Sequence, residues 1–69
     1  MLEKIKLSVN GETKEISATL FEEALIELGF KDAKVATAIN GAFISQDARK
    51  DVVLKNGDQV EILAPMQGG

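Results

Sequence analysis

Apolar residues recur along this chain with two different periods, and the switch between them predicts the fold. Ile5, Leu7 and Val9 alternate with Lys4, Lys6 and Ser8, the period of two of a strand with one face buried. Asn10-Gly11 follows. A type I′ turn needs positive φ at both central residues, so Asn-Gly between two such runs marks a tight hairpin. The return strand, Glu12 to Ile16, is weakly apolar and carries Lys14 and Glu15, charges that keep an edge strand from pairing with another molecule.

The period then lengthens. Leu20, Ala24, Leu25 and Leu28 recur at helical spacing with Phe21 beside the stripe, while Glu22, Glu23 and Glu27 fall on the watery side, which predicts one amphipathic helix. Thr19 with Glu22 three residues on has the form of a capping box. Gly29 stands where a left-handed residue ends a helix, and Phe30 is placed to pack back on the last turn. After the polar stretch 31–34, the run from Val35 to Ile39 is small or apolar on both faces, as in a strand inside a sheet. Asn40-Gly41 is a second turn, Ala42-Phe43-Ile44 a short strand, and Ser45 to Asp51 a polar excursion with room for a single helical turn. Val52-Val53-Leu54 is apolar again, Lys55-Asn56-Gly57-Asp58 is a turn by composition, and the last strand runs from Gln59 to Leu63 with Val60 and Ile62 on one face.

Hairpin, helix and further strands in that order predict an α+β domain, a mixed sheet of four to five strands with the helix on one face. A right-handed crossover through the helix sets the first and last strands side by side in the centre. Pro65 stops the last strand, because proline has no N–H for a ladder. The chain therefore divides into a domain over 1–64 and a tail over 65–69.

Composition narrows the chemistry. The 69 residues contain no cysteine and no histidine, which removes disulfides, thiol catalysis and histidine bases from the chain's own repertoire. Eight basic against eleven acidic side chains give a net charge of −3, and the dispersed cations disfavour nucleic acid as a partner. With no apolar run of membrane-spanning length and no signal-peptide core, the expected setting is the cytoplasm, away from the membrane. Glu22 and Glu23 read as solvated helix charge. Asp47, Asp51 and Asp58 read as turn residues, and no carboxylate pair has the spacing of acid-base catalysis.

What remains is the end, Pro65-Met66-Gln67-Gly68-Gly69. Two glycines without side chains can enter a slot too narrow for any other pair, and an extended tail from Leu63 reaches about 20 Å at roughly 3.3 to 3.6 Å per residue. Taken alone, such an end is also what a frayed terminus shows. The upstream pattern decides between them. Val35 to Gly41, Asn56-Gly57-Asp58-Gln59-Val60-Glu61-Ile62 and Ala64 to Gly69 resemble the ubiquitin-like β-grasp sulfur carriers, and more narrowly the ThiS family of thiamine thiazole synthesis.

That resemblance implies a β-grasp fold and a carrier that is not itself an enzyme. An adenylating enzyme joins the Gly69 carboxylate to AMP, a sulfur donor such as a cysteine desulfurase displaces AMP to leave a thiocarboxylate, and thiazole synthase takes the sulfur. ATP and magnesium are then used by the activating partner, and this chain binds no cofactor and no metal. Gly68, Gln67, Met66 and Pro65 are the tail residues a partner recognises. Leu63, with Phe43 or Ile44, is a candidate partner surface. The same tail chemistry serves the small subunit of molybdopterin synthase, and a Gly-Gly end also belongs to ubiquitin-like modifiers that form isopeptide bonds. A purely structural interaction domain is the remaining reading.

Overall fold

A computed structural model describes residues 4–31 and 33–64. Its elements are β1 (Ile5–Val9), β2 (Glu12–Ile16), α1 (Phe21–Glu27), β3 (Ala36–Ile39), β4 (Ala42–Ile44), a 3₁₀ turn (Arg49–Asp51) and β5 (Gln59–Leu63). The tail residues Pro65 to Gly69 lie outside the described residues.

Five strands form one sheet in the order β2-β1-β5-β3-β4. β1 and β5 are parallel neighbours, and the other pairings are antiparallel. The first and last strands thus meet in the interior of the sheet, as the crossover rule requires. Both hairpins turn on Asn-Gly with positive φ at each residue: 52° and 86° at Asn10 and Gly11, 51° and 85° at Asn40 and Gly41. These are the backbone angles of the predicted type I′ turns.

One sheet face is the core. Leu7, Val9, Ile16, Ile39, Val60 and Ile62 point to it and meet Phe21, Ala24 and Leu25 from α1, with Leu54 closing one side. Phe21 is 0% exposed. It is the centre of the helix stripe and not its flank, standing three and four residues before the buried Ala24 and Leu25, while α1 begins a residue later than the capping box requires and leaves Leu20 outside the helix. Leu20, extended at φ −81° and ψ 135°, is the N-cap, and no side chain caps the helix. The reason is a competing pairing. Leu20 forms an antiparallel bridge with Val53. The Phe21 N–H donates to the Val52 carbonyl at 2.9 Å, and the Leu54 N–H donates to the Thr19 carbonyl at 2.6 Å. A backbone partner from the apolar run 52–54 occupies the helix start that Thr19 and Glu22 were expected to close.

The other end follows its signal. Gly29 has φ 98°, its N–H donates to the Ile26 carbonyl, and the Phe30 N–H donates back to the Leu25 carbonyl at 2.8 Å. That is a Schellman ending, with Phe30 packed against the core. Glu27, expected to face water only, also turns its carboxylate to the loop before the helix, where it accepts from the Ser17 and Ala18 N–H groups at 3.0 and 3.1 Å.

Candidate functional site

The end of β5 delivers the chain to Pro65, so the site is built from what fixes that end. On one side β3 pairs with it, Thr37 opposite Ile62 and Ala36 opposite Leu63. On the other side β1 has already turned at Val9, and the parallel ladder should stop there. The Asn10 side chain continues it. Its Nδ2 donates to the Ile62 carbonyl at 2.9 Å and its Oδ1 accepts from the Ile62 N–H at 2.8 Å, so a side-chain amide stands where the next peptide of a strand would be.

Asn40 does the same work at the start of β5. Its Oδ1 accepts from the Gln59 N–H at 2.9 Å and its Nδ2 donates to Asp58 Oδ1 at 3.1 Å. Each asparagine therefore makes its turn and also grips the central strand. The sequence signal for Asn-Gly announced only the turn.

Leu63 is 66% exposed and Phe43 73% exposed. Both lie on the sheet face opposite the helix, since Val60 and Ile62 occupy the inner face of β5 and Phe43 pairs with Ala38, which alternates with the buried Thr37 and Ile39. Ala36 and Ala38 lie between them on that face, so the two large side chains stand over a low floor. Ile44, taken with Phe43 and Leu63 as a candidate surface residue, is on the other side. It is half-buried against the core, and its carbonyl accepts from Thr37 Oγ1 at 2.8 Å. Strand alternation separates it from Phe43.

Around the edge from this face, the last turn of α1, the loop before β3 and the end of β5 enclose a groove of about 860 Å³, lined by Leu25, Ile26, Phe30, Leu63 and Ala64 among others. Arg49 reaches it from the 3₁₀ turn and is 9% exposed. Its Nη2 donates to the Val35 carbonyl at 2.7 Å and its Nε to Thr37 Oγ1 at 3.1 Å. Sequence reasoning missed this residue, because an arginine in a polar run carries no mark of burial. Among the described residues no group of His, Cys, Asp and Glu could hold a metal ion, and no helix is long and apolar enough to cross a membrane.

A mixed sheet grasping one helix, with its central strand leading to a Gly-Gly end, defines a ubiquitin-like β-grasp domain. The solved structure of the thiamine biosynthesis protein ThiS from Geobacter metallireducens superposes on it with a TM-score of 0.77 at 30% identity, covering 94% of this chain and 100% of that one. The ThiS family model matches residues 7–69, and the chain belongs to the ThiS family. It is 37% identical over 62 residues to the sulfur carrier protein ThiS of Thermus thermophilus, covering 88% of this chain and 95% of that protein. It is also 38% identical over 66 residues to a thiazole synthase of Paramagnetospirillum magneticum, covering 94% of this chain and 20% of that protein. A thiazole synthase of Magnetococcus marinus matches to the same extent. The chain thus spans a fifth of the length of the thiazole synthases it is similar to.

Proposed function

We propose that this chain is a sulfur carrier of thiamine thiazole synthesis whose reacting group is the Gly69 carboxylate. The observation that carries the reading is the family match running through residue 69, on a chain whose last strand is held from both sides at Ile62. A carboxylate resists nucleophiles because of its negative charge, so an oxygen must first become a leaving group. A carboxylate oxygen attacks the α-phosphorus of ATP on an adenylating enzyme, pyrophosphate leaves, and an acyl-adenylate forms. The terminal sulfur of a persulfide donor, such as a cysteine desulfurase supplies, attacks the acyl carbon, and AMP leaves with the electron pair of the broken C–O bond. A thiol then reduces the acyl disulfide, releasing the thiocarboxylate and a new disulfide. Thiazole synthase takes that sulfur and the carboxylate is regenerated.

In this scheme the chain contributes a stable body, a fixed tail root and a partner surface, while ATP, magnesium and catalytic groups belong to the partners. The reaction belongs in the cytoplasm, where ATP and the donors are found. Phe43 and Leu63 form the partner surface, and Pro65, Met66, Gln67 and Gly68 form the segment read by the partner's slot. The presence of a similar segment within thiazole synthases favours this pathway over molybdopterin synthesis or protein modification. Removal of Gly69 tests the reading. The shortened chain should unfold at the same temperature as the full one and support no thiazole formation in a reconstituted system. Thiazole formed at the normal rate without Gly69 would overturn the assignment.

A further inference from the structure

Arg49 carries a charge that the described part of the body does not neutralise. It is the chain's sole arginine and is nine-tenths buried. Both of its acceptors, the Val35 carbonyl and Thr37 Oγ1, are uncharged, and the ion pair found among the described residues joins Lys14 to Glu12 instead. Buried charges are normally paired, because stripping water from an ion is costly unless an opposite charge replaces it. The third guanidinium nitrogen, Nη1, bonds to no described residue, and the groove at the tail root is the opening that Arg49 lines.

Two further cations, Lys31 and Lys34, line the same groove from the exposed loop before β3, against one acid, Glu22. Asp32 lies outside the described residues. On a chain of net charge −3, this is a local reversal of sign. It sits beside Ala64, the residue before Pro65, where any protein that takes the tail must rest.

We infer that the groove is an ionic dock for thiazole synthase, receiving an aspartate or glutamate side chain of the synthase on Arg49, with Lys31 and Lys34 steering its approach. The inference rests on the proposed function, and the synthase is chosen because its relatives carry a segment like this one in the same polypeptide. Arg49 suits the role because most of its side chain is already out of water in the free protein and two hydrogen bonds hold its plane. An incoming carboxylate then gains a charge-assisted bond with little ordering cost. An arginine serving only to fasten the 3₁₀ turn to β3 would need no lysines beside it, and this difference makes the two roles separable.

The test is calorimetric titration of the full chain with its cognate thiazole synthase at low and high salt. The Lys31→Glu/Lys34→Glu variant leaves every described hydrogen bond of Arg49 in place and should melt as the unchanged chain does. It should bind at least about tenfold more weakly at low salt and lose most of the salt dependence. If its melting temperature falls, Lys31→Gln/Lys34→Gln replaces it, with a smaller loss in the same direction expected. Unchanged affinity and unchanged salt dependence in a folded variant would remove the dock while leaving the carrier reading intact. Failure of the unchanged chain to bind the synthase would remove both.

Discussion

Replacing Asn10 by glycine separates the asparagine's two duties. Glycine adopts φ 52° without steric cost, so the turn survives and only the amide's grip on Ile62 is lost. Two hydrogen bonds of 2.9 and 2.8 Å disappear, and at about 1 kcal/mol each the expected loss is about 2 kcal/mol. Replacement by alanine loses the same bonds and adds the left-handed backbone penalty of roughly 1 to 2 kcal/mol. A domain of this size has only about 3–5 kcal/mol to lose, so the glycine variant should melt about 8–16 °C lower. The chain has no tryptophan and no tyrosine, so urea unfolding is followed by far-ultraviolet circular dichroism, with hydrogen exchange at the Ile62 amide as the local readout. A glycine variant within about 0.5 kcal/mol of the parent, the range of an ordinary surface change, with Ile62 still protected, would refute the latch.

Substitutions at Gly29, at Glu27 and at the Phe43 and Leu63 pair probe separate parts of the molecule. Gly29→Ala places a side chain at φ 98° where its Cβ would meet nothing within 4 Å, so its cost is backbone strain alone, about 1–2 kcal/mol by urea unfolding. Glu27→Ala removes the carboxylate that accepts from Ser17 and Ala18 and should cost about 1 kcal/mol, with Glu27→Gln retaining part of it because one oxygen remains an acceptor. Phe43→Ser with Leu63→Ser changes two side chains that are 73% and 66% exposed. It should leave the unfolding transition close to that of the parent while weakening capture by the adenylating enzyme or thiazole synthase about tenfold or more, as loss of apolar anchors does. Equal capture would clear that face of a role.

The sheet was legible because its signals are local. Alternation in 5–9 and 59–63, two Asn-Gly turns and Gly29 each specify backbone geometry within a few residues. Signals that depend on distant partners were not. Thr19 and Glu22 have the spacing of a cap, yet the extended run at Val52–Leu54 takes the helix start through Leu20 and Phe21. Phe21 reads as a flank until that pairing takes Leu20 out of the helix, which leaves Phe21, Ala24 and Leu25 as the buried stripe. Ile44 and Phe43 are adjacent in sequence and equally apolar, and only the register of β4 on β3 assigns them to opposite faces. The grip of Asn10 on Ile62 spans 52 residues, and the burial of Arg49 depends on where Val35 and Thr37 stop. The likeness of the tail to a sulfur carrier was readable, because it lies in residue identity and not in packing.

The most direct measurement is the intact mass of the chain after incubation with an adenylating enzyme, ATP, magnesium, a persulfide donor and a thiol. The account predicts a gain equal to the difference between one sulfur and one oxygen atom, confined by fragmentation to Gly69 and absent when ATP is withheld. A chain that stays at its original mass with an enzyme shown to activate another ThiS protein, or that takes up sulfur at some other residue, would contradict it.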